Sequence, residues 1–225
     1  MNKRSRARST ERSVEVPSGD VKLEGILAVP PGAKGVVLFA HGSGSGRFSP
    51  RNNFVARVLQ DGGFATLLID LLTEEEAEDR RKVFDIDLLA QRLLDAATWL
   101  RHQPQTKELP IGYFGASTGA AAALQAAARK KSLVSAIVSR GGRPDLAMDY
   151  LPNVEAPTLL IVGGKDVPVI AMNQEAYDVL RCEKELTIIP GATHLFEEPG
   201  ALEKVAELAR FWFERHLPQA KRLVA

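Results

Sequence analysis

Short, continuous apolar runs, each followed by a stretch of helical character, recur along the chain and constrain its fold most. They are Gly35–Ala40, Phe64–Ile69, Ile111–Phe114, Leu133–Val138, Thr158–Val162 and Leu186–Ile189. Runs this short and this apolar are the mark of strands covered on both faces. Helical segments are predicted at about Asn52–Gln60, Ile86–Arg101, Ala120–Lys130, Met172–Arg181 and Leu202–His216. In the second, Leu89, Leu93, Ala96, Ala97 and Leu100 recur at helical spacing. Strands alternating with helices build a mostly parallel sheet with helices on both faces. Ahead of them, Val14–Val16 and Val21–Val29 flank the turn Pro17-Ser18-Gly19-Asp20 and read as an antiparallel hairpin. Leu71–Arg81 is acidic and reads as loop or irregular helix. The fold class expected is therefore α/β, a three-layer sandwich. Residues 1–12 form a basic tail and residues 13–225 one domain.

In such sheets the reactive groups sit at the carboxyl ends of the strands. Four of those ends carry chemistry. Ile111–Phe114 runs into Gly115-Ala116-Ser117-Thr118-Gly119 and then straight into a helix, the strand–turn–helix context of a G-x-S-x-G nucleophile elbow. The Thr158 strand ends near Asp166. The last strand leads to Pro190-Gly191-Ala192-Thr193-His194, and the first parallel strand to His41-Gly42-Ser43. A serine hydroxyl needs a neighbouring base to become a nucleophile. His194 is the candidate, because an imidazole titrates near neutral pH. Asp166 would hold its tautomer and stabilise its charged form. The N–H groups of Thr118 and Ser43 are the candidate oxyanion donors, worth about 3 kcal/mol each in such sites.

Rivals exist for these roles. Asp145 follows an earlier strand, and His102 and His216 lie at helix ends. His41 comes too early in the chain for the base and is expected to shape the oxyanion loop. Asp70, also at a strand end, reads as structural. His41, Gly42, Arg47 and Arg140 are candidates for the substrate pocket. Arg140, Arg143, Lys165 and Arg47 follow strand ends or lie in the oxyanion loop. They read as solvated rim charges, with an anionic substrate as the sharper alternative.

Composition narrows the function classes. The formal net charge of +1 over 225 residues implies no general attraction to nucleic acid or membranes. No apolar run has transmembrane length and no signal peptide is visible, so a cytoplasmic protein is expected. A single cysteine, Cys182, excludes an internal disulfide and reads as structural. Gly42, Gly44 and Gly46 lack nucleotide-loop spacing, and no motif pairs metal ligands. No cofactor and no metal are expected, and the partner is a small ester-like molecule. A monomer or homodimer is expected.

Ser117 in its elbow, Asp166 after a strand, His194 in Gly-Ala-Thr-His-Leu-Phe, and His41-Gly42 together resemble the α/β-hydrolase superfamily from about Ser13 to Leu217. Small size and a short Ser139–Pro157 connection, where many members carry a helical lid, make it most similar to dienelactone-hydrolase-like proteins. Those typically place cysteine in the elbow, where this chain has Ser117. The resemblance implies a lidless serine esterase acting on a small ester, lactone or thioester, without metal or organic cofactor. The alternative is a hydrolase-fold protein that binds a small molecule or partner without turnover.

Overall fold

A computed structural model describes residues 10–217. The first nine residues of the expected tail and the last eight of the expected domain lie outside the described residues. The elements are β1 (Thr10–Ser18), β2 (Val21–Val29), β3 (Val36–Ala40), α1 (Pro50–Asp61), β4 (Ala65–Ile69), α2 (Glu74–Glu78), α3 (Arg80–Val83), α4 (Ile86–His102), β5 (Ile111–Ala116), α5 (Thr118–Arg129), β6 (Ala136–Arg140), a 3₁₀ segment (Pro144–Asn153), β7 (Thr158–Gly163), α6 (Val167–Val179), β8 (Lys184–Ile189) and α7 (Ala201–His216). The strands form one sheet in the order β1-β2-β4-β3-β5-β6-β7-β8. The hairpin and the β2–β4 pair are antiparallel, and every other pair is parallel.

The apolar runs are central strands because both their faces are covered. Every residue of β3, β4, β5, β6 and β7 is buried. On one face Val37, Phe39, Phe114, Val138 and Ile161 pack under α1 and α7. On the other, Leu38, Leu67, Tyr113, Ile137 and Leu160 pack under α4 and α5. Two of the long helices, α1 and α4, start where a side chain caps them. Ser49 Oγ accepts the Asn52 N–H at 3.3 Å, with Pro50 in the first turn of α1. Asp85 Oδ1 accepts the Leu88 N–H at 3.0 Å at the start of α4.

Some boundaries differ from the sequence reading. The hairpin is longer than Val14–Val16 indicates: Thr10–Arg12, expected in the tail, pair with Val29–Leu27. The exposed side chains of Glu11 and Arg12 suit a solvated edge strand, and the ladder to an apolar partner draws the segment in. Leu71–Arg81 contains α2 and the start of α3. Thr73 and Glu76 form a reciprocal capping box, and the buried Arg92 guanidinium reaches Glu76 Oε1 at 3.0 Å. β6 begins at Ala136, since Leu133 and Val134 fold into the core as a turn. α6 begins at Val167, five residues before Met172, because Pro168 suits its first turn. Between β6 and β7 the only helical element among the described residues is the 3₁₀ segment of 10 residues, so no helical lid is inserted there.

Candidate active site

β5 delivers Ser117 to the sheet edge in a backbone conformation few side chains adopt, with φ 51° and ψ −122°. The strain persists because both sides of the residue are fixed. Its N–H donates to the Arg140 carbonyl at 3.3 Å, and its carbonyl accepts from Arg143 N–H at 3.1 Å and Ala120 N–H at 3.1 Å. The hydroxyl caps no N–H of α5 and so stays free for chemistry.

The glycines around it are required by close approach. A Cβ on Gly115 would stand 2.5 Å from Ala120 Cα. One on Gly119 would stand 2.2 Å from the Ala40 carbonyl oxygen and 2.4 Å from that of His41. One on Gly42 would stand 2.9 Å from Ser117 Cβ. The loop after β3 therefore lies directly on the elbow. There the Ser43 N–H donates to Thr118 Oγ1 at 3.1 Å. Thr118 opens α5, so its own N–H has no acceptor within the helix.

Two further loops bring His194 and Asp166 together. His194 Nδ1 lies 2.6 Å from Asp166 Oδ2. A carboxylate can only accept there, so Nδ1 carries a proton, and in the neutral ring Nε2 is the nitrogen left with a lone pair. Asp166 occupies the cap position of α6 but makes no cap hydrogen bond with its side chain. The Lys165 N–H donates to the Ala192 carbonyl at 2.9 Å and ties the two loops together. Phe196, two residues after His194, has φ 55° and is 1% exposed, so the His194 loop is pinned by a strained, buried aromatic anchor. A Cβ on Gly141, beside the Arg140 carbonyl that holds Ser117, would stand 3.5 Å from His194 Cε1. The serine and imidazole loops thus converge at the end of β6. Among the described residues no hydrogen bond joins the Ser117 hydroxyl to His194. Such bonds often tighten only when substrate is bound.

The rivals are engaged elsewhere. Asp145 makes a two-pronged pair with Arg143, at 2.9 and 2.7 Å. His102 Nδ1 lies 2.8 Å from the Thr98 carbonyl, and His216 packs against Trp212 with ring centroids 4.2 Å apart. His41 joins two loops: Nδ1 lies 2.9 Å from the Gly42 carbonyl, and Nε2 accepts the Leu71 N–H at 2.9 Å. Burial holds its pKa below the ordinary value, against the opposing effects of the Gly42 carbonyl and Asp70. Asp70 accepts from the backbone and guanidinium of Arg47. Cys182 packs half-buried against the core, where burial pushes its thiol pKa up.

A cavity of about 1050 Å³ opens beside the elbow, lined in part by His41, Ser43, Arg47, Arg51, Asp70 and Thr118. Leu72, Thr73 and Glu74, together with Val83 of α3, form its far wall. Of the four basic residues read as rim charges, Lys165 is exposed, Arg143 pairs with Asp145, and Arg47 pairs with Asp70 and Glu24. Arg140 departs from that reading. It is 8% exposed, because its position in β6 shares the face of Ala136 and Val138 and points it beneath α1 and α7. Sequence reasoning also missed the Thr118 hydroxyl and the buried Arg92–Glu76 pair, whose partners meet only through tertiary packing.

An eight-stranded sheet with this strand order, a serine elbow after β5 and a histidine–carboxylate pair after β8 and β7 define an α/β-hydrolase. The dienelactone hydrolase family model matches residues 23–217, and the chain belongs to that family. A crystal structure of a dienelactone hydrolase from Anabaena variabilis is 60% identical, with a TM-score of 0.91, over 94% of this chain and 100% of that one. A dienelactone-hydrolase-like promiscuous phosphotriesterase from metagenomic libraries shares the fold alone, at 18% identity and a TM-score of 0.78, over 94% of this chain and 100% of that one. Proteins from two strains of Mycobacterium tuberculosis, provisionally named phosphoribosyl transferases, are 59% identical over 207 residues, 92% of this chain and 47% of theirs. The chain thus spans about half the length of the curated relatives it matches.

Proposed function

We propose that the protein is a serine hydrolase that cleaves a small ester, lactone or thioester through an acyl-enzyme. The observation that carries this reading is the 2.6 Å contact of His194 with Asp166 at the same sheet edge as a strained, uncapped Ser117. In this mechanism His194 Nε2 takes the Ser117 proton as Oγ attacks the carbonyl carbon. Asp166 stabilises the imidazolium that forms. The oxyanion is held by the N–H groups of Thr118 and Ser43. The latter turns from Thr118 Oγ1 to the substrate oxygen as charge develops. The imidazolium then protonates the leaving group, and water repeats the sequence on the acyl-enzyme.

The carboxyl edge lacks a lid, which favours small or exposed substrates over long buried acyl chains. The phosphoribosyl transferase name of the mycobacterial relatives belongs to chains about twice as long. The groups at the strand ends of this chain suit acyl transfer instead.

The test is hydrolysis of p-nitrophenyl acetate and butyrate by the wild type and by Ser117→Ala. The variant is expected to lose all but background rate, and equal rates overturn the proposal. A folded wild type that never reacts with fluorophosphonate probes identifies a binding protein on the same fold.

A further inference from the structure

Ser117 is held in its strained conformation from outside its own helix. The holding segment is the turn Arg140-Gly141-Gly142-Arg143. The Arg140 carbonyl accepts the Ser117 N–H at 3.3 Å, and the Arg143 N–H donates to the Ser117 carbonyl at 3.1 Å. Both backbone polar groups of a residue with φ 51° thus end on one turn. The Gly141 N–H ties that turn to β7, donating to the Ile161 carbonyl at 2.8 Å. Its other side packs on the loop of the base: a Cβ on Gly141 would stand 3.3 Å from the His194 carbonyl oxygen and 3.4 Å from Phe196 Cε2.

One side chain fastens this turn to α6. Asn173 is fully buried. Its Nδ2 donates to the Gly142 carbonyl at 3.0 Å and to the Val169 carbonyl at 2.8 Å. Both neighbours are acceptors, so only the nitrogen of the amide can face them. The bond to Val169, one turn back on the same helix, fixes the side chain and leaves its second N–H for the turn. No other group among the described residues donates to the Gly142 carbonyl. The amide oxygen, by contrast, is buried without a partner. A buried acceptor left unmet opposes stability, and an apolar side chain of similar volume would avoid it. Packing alone therefore does not call for an amide here.

The same helix carries the carboxylate of the site. Asp166 is the cap residue of α6, and its Oδ2 lies 2.6 Å from His194 Nδ1. Asn173 stands about two helical turns further along. Its bond to Gly142 therefore sets how the backbone around Ser117 sits against the helix that orients His194.

We infer that Asn173 is a positioning residue for Ser117: through the Gly142 carbonyl it clasps the turn that frames the serine onto the helix that begins at Asp166. Backbone strain persists only where the surroundings over-determine it. Without the clasp, Arg140 and Arg143 are free to shift together. Ser117 then relaxes toward ordinary backbone angles, and Oγ leaves the line to His194 Nε2. The clasp is independent of any reaction, whereas the role of what it positions rests on the hydrolase reading.

The test compares Asn173→Asp, Asn173→Leu and Thr106→Val with the wild type in hydrolysis of p-nitrophenyl acetate, with Ser117→Ala as the blank. Asn173→Asp keeps the shape of the side chain but sets an acceptor against two carbonyls. Asn173→Leu keeps the volume without any donor. Thr106→Val is the control for lost stability. It removes a buried hydrogen bond, from Oγ1 to the Leu100 carbonyl at 2.7 Å, ahead of the amino end of β5 and away from the turn. Rates are taken at a temperature where melting curves show every variant folded. Both Asn173 variants are expected to lose about tenfold to 10²-fold in kcat with KM little changed. Phosphonylation of Ser117 by a fluorophosphonate should slow in step. Thr106→Val should keep the wild-type kcat. Unchanged kcat in the folded Asn173 variants, or an equal loss in Thr106→Val, overturns the inference. If neither Asn173 variant folds, hydrogen exchange in the wild type decides. The Asn173 side-chain amide protons and the Arg143 N–H should exchange slowly and at one common rate, because they open together. Fast exchange of the amide, or two unrelated rates, overturns the inference. A wild type without esterase activity removes the hydrolase reading, and the exchange measurement then decides the clasp by itself.

Discussion

Gly119→Ala probes how closely the elbow and the oxyanion loop are fitted. The added Cβ would meet the Ala40 oxygen at 2.2 Å and the His41 oxygen at 2.4 Å, where ordinary contact begins at 3.4 Å. Both obstacles are backbone, so no side chain can swing away. The first turn of α5 and the end of β3 must separate by about 1 Å. Ser43 N–H and Thr118 Oγ1, now 3.1 Å apart, sit on the two sides of that gap. Overpacking of this kind costs about 1–3 kcal/mol of stability. A misplacement of about 1 Å can cost about 10²-fold in rate. The expected result is a folded variant with a lower urea midpoint and kcat/KM for p-nitrophenyl acetate reduced by about 10²-fold, with most of the loss in kcat. Gly44→Ala is the control, since its Cβ meets nothing within 4 Å and only its φ of +67° opposes it. Wild-type turnover and stability in Gly119→Ala would refute the close packing on which the proposed oxyanion geometry rests.

Asp166→Asn should lower kcat by about 10⁴-fold, because an amide no longer fixes the Nδ1–H tautomer of His194; steady-state kinetics with circular dichroism separates this from unfolding. His41 is half-buried with its neutral form hydrogen-bonded, and desolvation holds its pKa below the ordinary 6.5. As pH falls through that ordinary value the unfolded chain takes up a proton the folded protein refuses, so stability drops. Urea melts across that range should show a shallower loss in His41→Asn than in the wild type, and equal slopes would count against it. Tyr113 is fully buried with a hydroxyl that finds no partner among the described residues, and burial pushes its pKa up. Tyr113→Phe should keep or raise stability by about 1 kcal/mol; a drop in urea midpoint would reveal a partner for the hydroxyl.

Much of this architecture was legible because burial writes itself into residue type. The apolar runs at Val36–Ala40 and Thr158–Gly163 could only be covered strands, and they are. That Asp166 and His194 lie together was legible because a parallel sheet delivers successive strand ends to one edge, so chain order stands in for proximity. Where chemistry depends on side-chain direction, the sequence said less. Arg140 reads as a rim charge by type, yet strand parity with Ala136 and Val138 turns it inward. The Arg92–Glu76 pair and the extension of β1 to Thr10 depend on partners far along the chain, which local pattern does not encode.

The far wall of the cavity has a consequence for how this enzyme family can diversify. That wall is built on two helical turns, α2 and α3, held mainly by the Glu76 capping box and its pair with Arg92. No strand of the sheet passes through it. Insertions or exchanges between Leu72 and Val83 would therefore change the lining of the cavity without touching the loops that bring His194 to Asp166. The cavity's helical lining and the sheet edge thus rest on separate segments, and the first can be recut while the second stays in place.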